Sequence, residues 1–189
     1  CLNRFAKASD DALALWARIL AAMPDSRLLL KDRVFSDAGE RARTVERLDR
    51  LGIAAARVVL QGGTDHRHHL AAFGAVDIAL DPFPQNGGVS TLEALWMGVP
   101  VVTLVGTALP GRAGAALLTP LGLGDLVART PDDYVAIACR LAGDLPALAA
   151  LRASLRGRLL ASPVGDCARY VAAVEAAYRA LWRRWCASR

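Results

Sequence analysis

The sequence predicts an α/β fold, an open parallel sheet with helices on both faces, followed by a set of C-terminal helices. Two observations carry this. Over residues 1–130, short apolar segments alternate with helical segments, and the joints hold glycine, proline or capping hydroxyls. From Pro131 the strand-like segments stop and three helical segments follow. The division is therefore 1–130 for a sheet-bearing domain and 131–189 for a helical extension packed on it.

Cys1 to Phe5 reads as the end of a strand, with Lys7 in the loop after it. Ser9 or Asp10 can cap the next helix, whose Leu13, Trp16, Ile19, Leu20 and Met23 share one face before Pro24 ends it. Ser26 to Lys31 is a short apolar strand. Ser36 to Leu51 is a charged helix showing Val45, Leu48 and Leu51 to the core and stopping at Gly52. Arg57 to Leu60 is a strand, Gly62 and Gly63 follow it, and Asp65 to Phe73 forms a short helix.

Val76 to Leu80 leads into Asp81 to Pro100, DPFPQNGGVSTLEALWMGVP, the stretch around which the chain is organised. Pro82 and Pro84 bar a helix or a central strand there, while Gly87 and Gly88 permit close backbone approach. A helix then starts at Val89, runs through Leu92, Leu95 and Trp96, and stops at Gly98 before Pro100. Val101 to Leu104 is a strand, Gly111 to Leu121 a small-residue helix and Leu126 to Ala128 a last short strand. Asp132 to Ala142, Leu145 to Leu160 and Asp166 to Cys186 complete the chain as helices. In the last of them Tyr170, Val174, Tyr178, Leu181 and Trp185 recur at helical spacing and read as a face packed into the core.

Composition narrows the function classes. With 54% hydrophobic residues over 189 positions, a substantial core can form and disorder is excluded over most of the length. The net charge of +5 is carried mainly by arginines interspersed with acids, a mildly cationic surface and not a nucleic-acid-binding stripe. No apolar run reaches the roughly 18 residues of a membrane span, and no signal peptide opens the chain. Cys1, Cys139, Cys167 and Cys186 form no CxxC pair, which suits free thiols in a reducing cytoplasm. His66, His68 and His69 do not make a zinc site, because His68 and His69 diverge on a helix. No P-loop, Ser-His-Asp arrangement or close carboxylate pair can be read, so the chain reads as a binding site without an evident general base. It opens on Cys1, inside an apparent strand end, and reads as a fragment whose preceding half lies elsewhere.

Ligands of open parallel sheets bind outside the carboxyl ends of the strands. Three segments meet there: the loop with Arg4 and Lys7, the turn from Gly62 to His69, and the turn from Asn86 to Glu93. Arg4 and Lys7 supply positive charge. Gly88, Val89, Ser90 and Thr91 supply N–H and hydroxyl donors at a helix N-terminus, an anion site suited to phosphate. Glu93 can accept from a ribose hydroxyl, and His69 can lie against a nucleobase. Each also has a plainer reading. Arg4 and Lys7 fit solvated charges, the Gly-Gly turn fits an ordinary strand-to-helix connection, and Glu93 fits a partner for the helix dipole.

NGGVSTLEALWMGVPVVTLVG, from Asn86 to Gly106, resembles the donor-binding segment of the protein O-linked N-acetylglucosamine transferases, the SPINDLY-type transferases and their bacterial homologues. LNRFAKASDDALALWARILAAMPDSRLLLK resembles the segment holding that family's diphosphate-contacting lysine. GRAGAALLTPLGLGDLVARTPDDYVAIACRLAGD and the ASP from Ala161 to Pro163 resemble its C-terminal part. The resemblance implies a type B glycosyltransferase, with two Rossmann-like domains facing a cleft, of which this chain matches the C-terminal, donor-holding one. By position, Lys7 falls on the diphosphate lysine, and Arg4 stands where the animal enzymes have a glutamine touching phosphate. His69 falls on a histidine beside the uridine, and Glu93 on the ribose-binding aspartate. Gly88, Val89 and Ser90 occupy a His-Thr-Thr stretch, so Gly88 and Val89 offer backbone N–H groups alone, with Ser90 and Thr91 as hydroxyl donors. Ala72 stands where the animal enzymes have an arginine near the base.

The implied activity is inverting transfer of a sugar from a UDP-sugar, UDP-N-acetylglucosamine first among them, to Ser or Thr hydroxyls of proteins. Lys7 would stabilise the leaving diphosphate, with no metal or other cofactor and no nucleic-acid or membrane partner. The acceptor site, tetratricopeptide repeats and the base would come from the N-terminal region. The final helix of such enzymes crosses back to the first domain, which would leave part of the Tyr170 to Trp185 face exposed in this chain. Two alternatives stay open: the same fold using GDP-fucose or UDP-glucose, and a nucleotide-binding module without transfer.

Overall fold

A computed structural model describes residues 1–188. Helix α1 (Asp10–Ala22) begins where Ser9, in extended backbone, accepts from the Ala12 N–H at 3.2 Å, and it buries Leu13, Trp16, Ile19 and Leu20. The chain beyond its C-terminus is held by Arg57, whose guanidinium donates to the carbonyls of Leu20, Met23 and Ser26. Strand β1 (Leu28–Lys31) pairs in parallel with β2 (Val58–Gln61), Leu28 opposite Val58. Between them runs α2 (Ala38–Arg50), capped by Asp37, and Gly52 behind it takes a positive φ of 84°.

Helix α3 (His66–Ala71) follows β2 and tightens into a 3₁₀ turn over Ala72–Ala75. A second parallel sheet has the order β3 (Ala79–Leu80), β4 (Val101–Leu104), β5 (Val127–Ala128). Helices α4 (Val89–Trp96) and α5 (Ala113–Leu118) make its crossovers. All pairings between these strands are parallel and each crossover carries a helix, as the alternation in the sequence predicts. The core runs continuously through both sheets, with Leu13, Trp16, Leu30, Phe35, Leu95, Leu126 and Tyr134 almost wholly buried.

Helix α6 (Pro131–Gly143) starts in a reciprocal box between Thr130 and Asp133 and packs on α1 and β4. Helix α7 (Leu145–Ala161) packs on α4 and α6. Among the described residues no single helix is long and apolar enough to cross a membrane; α6 and α7 pass only as a pair, and they are bent by 100°. Helix α8 (Cys167–Ala187) has no buried residue. Its aromatic face, read from periodicity as core, is exposed, with Tyr170 at 67% and Tyr178 at 69%, as the family resemblance implied for part of it. Helical spacing shows that a face exists without naming the surface that meets it.

Three of the element boundaries that differ from the sequence reading have a visible cause. Cys1 does lie against β1, its backbone nitrogen donating to the Leu29 carbonyl and its carbonyl accepting from the Lys31 N–H. The chain then leaves extended geometry, because the Phe5 N–H donates to the Asp32 carboxylate at 2.6 Å and Phe5–Lys7 forms a 3₁₀ turn. The strand predicted from Val76 is confined to Ala79–Leu80, since the Val76 and Asp77 carbonyls accept from Arg152 on α7. The helix predicted over Gly111 to Leu121 is α-helical only at Ala113–Leu118 and 3₁₀ on either side, with prolines at 110 and 120 in the flanking turns.

Candidate functional site

The segment from Lys7 to Ser9 runs alongside the turn that follows β3. Ala8 bridges Pro84 in antiparallel fashion, and Ser9 Oγ donates to the Phe83 carbonyl at 2.8 Å. Lys7 Nζ donates to the Asn86 carbonyl at 3.0 Å, which puts the ammonium against the turn just before α4. Asn86 is itself buried, its amide nitrogen donating to the Pro82 carbonyl at 3.1 Å and its backbone N–H to the Pro110 carbonyl at 3.0 Å. Gly87 has no room for a side chain: an added Cβ would lie 2.7 Å from both Ser90 Oγ and Thr91 Oγ1 and 2.9 Å from Asp81 Oδ1.

The N-terminus of α4 at Gly88 has no side-chain cap, whereas α1, α2, α3, α6, α7 and α8 are each capped by a hydroxyl or carboxylate. Its leading N–H groups and positive dipole end are thus available to an anion. Beneath them lies Asp81, 1% exposed, whose Oδ1 accepts from the Gly87 N–H and whose Oδ2 accepts from the Thr103 hydroxyl, each at 2.7 Å. Burial pushes its carboxyl up to about 6, against the pull of those two donors and the Lys7 charge.

A cavity of about 490 Å³ opens beyond the carboxyl ends of β1 and β2, lined by Asn3, Arg4, Asp32, Gly63, His66 and His69 among others. Glu93 on α4 faces the same two imidazoles: His66 Nδ1 lies 3.7 Å from Oε1 and His69 Nε2 lies 3.4 Å from Oε2. His68 turns away and pairs with Asp65, so the three histidines do not converge. Ser90 Oγ donates to Asn3 Oδ1 at 2.6 Å, joining α4 to the cavity wall. A second groove, of about 400 Å³ and lined by apolar residues such as Leu20, Leu28, Val76 and Leu148, touches the start of β1. The crevice at the carboxyl ends is the one with converging polar groups, as expected for an open parallel sheet.

The residues singled out in the sequence fall into two groups. Arg4, His69 and Glu93 gather at the cavity, and Lys7, Gly88 and Ser90 line the turn beside it. Val89 is 71% exposed and presents its backbone there. Thr91 is 2% exposed, with its hydroxyl turned beneath the turn toward Gly87. Sequence reasoning gave no role to Asp81, Asn3 or His66. Asp81 carries the one available signal, an acid closing an apolar strand at the start of the turn that leads to Gly87 and Gly88.

The sequence profile of Glycosyl transferase family 41 matches residues 1–174. The Hordeum vulgare protein named as a probable UDP-N-acetylglucosamine–peptide N-acetylglucosaminyltransferase SPINDLY is 42% identical over 185 residues, 97% of this chain and 20% of its own length. The Caenorhabditis elegans UDP-N-acetylglucosamine–peptide N-acetylglucosaminyltransferase is 30% identical over 184 residues, 97% of this chain and 16% of its own. A solved mutant of the Thermobaculum terrenum O-GlcNAc transferase superposes with a TM-score of 0.94 at 40% identity, covering 100% of this chain and 36% of that one. The chain therefore spans about a fifth of the length of the SPINDLY relative. The fold is the Rossmann-like one of type B glycosyltransferases, and by profile, sequence and superposition the chain belongs to glycosyl transferase family 41.

Proposed function

We propose that this chain is the donor-binding part of an inverting glycosyltransferase that moves a sugar from a UDP-sugar, UDP-N-acetylglucosamine in the first instance, to Ser or Thr hydroxyls of proteins. The observation that carries the reading is the uncapped N-terminus of α4 beside Lys7, adjoining a polar cavity with Arg4, His69 and Glu93 on its rim. In this reading the diphosphate sits on the N–H groups of Gly88, Val89 and Ser90 with Lys7 and Arg4 as its cationic partners. The ribose hydroxyls donate to Glu93, and the base lies against the half-buried His69. Negative charge grows on the diphosphate as the glycosidic bond breaks. Lys7 and the helix N-terminus therefore act most strongly in the transition state. The acceptor site and the base that takes the hydroxyl proton are assigned to the rest of the parent enzyme.

Calorimetric titration with UDP, GDP and their sugars tests the reading. UDP and UDP-N-acetylglucosamine are expected to bind, and to bind equally in the presence of a chelator, because protein groups supply the cationic partners. Preference for GDP or its sugars would transfer the site to a GDP-sugar donor. Absence of any nucleotide binding by the parent protein would overturn the donor assignment.

A further inference from the structure

We propose that Asp81 is the positioning residue of the donor site, its carboxylate fixing the Gly87 amide and thereby the Asn86 to Gly88 turn on which both Lys7 and the start of α4 depend. The role rests on the donor-binding reading above. Asp81 Oδ1 accepts from the Gly87 N–H at 2.7 Å, one residue before the helix cap. The adjoining Asn86 carbonyl is the atom that Lys7 Nζ holds at 3.0 Å, so one turn sets the ammonium and the helix N–H groups together.

The carboxylate is also locked from behind. Oδ2 accepts from Thr103 on β4, the Asp81 carbonyl accepts from the Tyr134 hydroxyl at 3.0 Å, and a Cβ at Gly114 would lie 2.8 Å from Oδ2. A buried carboxylate is costly to keep, and here both oxygens are spent on holding backbone and strand, with none facing the cavity. Asp81 acts through Gly87 and does not touch the donor.

UDP titration of four variants against the unmutated chain tests this, with each variant's fold checked by thermal melting. Asp81→Ala removes the acceptor of the Gly87 N–H and is expected to weaken UDP binding about tenfold or more. Asp81→Leu combined with Thr103→Val replaces the buried polar pair by apolar groups, keeps a packed interior, and is expected to show the same loss. Asp81→Asn retains an acceptor for Gly87 and is expected to restore affinity to within about threefold. Thr103→Val alone lowers the melting temperature while leaving Gly87 bound, and its UDP affinity is expected to stay at the unmutated level. UDP binding of unmutated strength in a folded Asp81→Ala or double-variant chain would overturn the proposal, as would an equal loss in Thr103→Val. Failure of the unmutated protein, chain and parent alike, to bind any nucleotide would instead overturn the donor reading, and this proposal with it.

Discussion

The substitution Asp81→Asn is predicted to change how the stability of the chain depends on pH. Asp81 is 1% exposed, and burial pushes its carboxyl from 3.8 up to about 6 although the Gly87 N–H, the Thr103 hydroxyl and the Lys7 charge all favour the ionised form. The folded chain therefore binds a proton more tightly than the unfolded one. Between about pH 4 and pH 6 stability falls as pH rises, and above about pH 6 this contribution is constant. A difference of about 2 pK units at 1.36 kcal/mol each corresponds to about 3 kcal/mol across that window. The substituted asparagine has no such titration, yet its carbonyl can accept from Gly87 and its amide can donate to a turned Thr103 hydroxyl. Every other group titrates in both chains and cancels in the difference. Urea unfolding of both chains at a series of pH values between about 4 and 8 gives that difference directly. The unmutated chain should lose about 3 kcal/mol relative to Asp81→Asn over the lower half of the range and nothing further above it. Parallel profiles would refute the reasoning, because they would mean that Asp81 titrates alike in both states.

Three further outcomes are expected. In the full-length enzyme Lys7→Ala should lower turnover about a hundredfold, and more than Glu93→Ala, because the ammonium meets charge that develops in the transition state; equal losses in steady-state kinetics would contradict the ranking. Tyr134→Phe removes a hydroxyl that donates to the Asp81 carbonyl and accepts from Trp16 Nε1 at 3.1 Å, leaving a buried indole N–H unpaired. A loss of about 1–3 kcal/mol in urea unfolding is expected, and an unchanged midpoint would count against the link. Gly114→Ala presses a methyl against the Thr103 side chain and Asp81 Oδ2, and should destabilise by about 1–3 kcal/mol on the same assay.

What could be read from the sequence was what local pattern determines. Strand β4 occupies the four residues of its apolar run, and α4 starts at Val89, where two glycines end and a helical pattern begins. Strand β3 shrinks because Arg152, seventy-five residues from Asp77 along the chain, takes carbonyls that a longer strand would have offered to the sheet. No window around Val76 contains that information. The site divides in the same way. Lys7, Arg4, His69 and Glu93 show their charge or ring in the one-letter code, and the three segments they belong to do meet at one end of the sheets. Asp81 shows only an acid at a strand end. Its importance comes from being enclosed by Thr103 and Gly114, which come from β4 and α5. His66 gains its place beside Glu93 in the same way, from the fold bringing the ring on α3 to 3.7 Å from a carboxylate on α4.

The chain of hydrogen bonds from Trp16 Nε1 to the Tyr134 hydroxyl and on to the Asp81 carbonyl bears on how this protein can be cut. Tyr134 sits on α6, beyond the last strand, and is wholly enclosed between α1 and the end of β3. A shortened chain ending at residue 130 would keep every strand and every residue of the candidate site, yet it would open a hole the size of a tyrosine directly behind the turn. Anyone excising a minimal nucleotide-binding piece, grafting it or splitting it for complementation should therefore carry α6 along with the sheets and make the break further downstream.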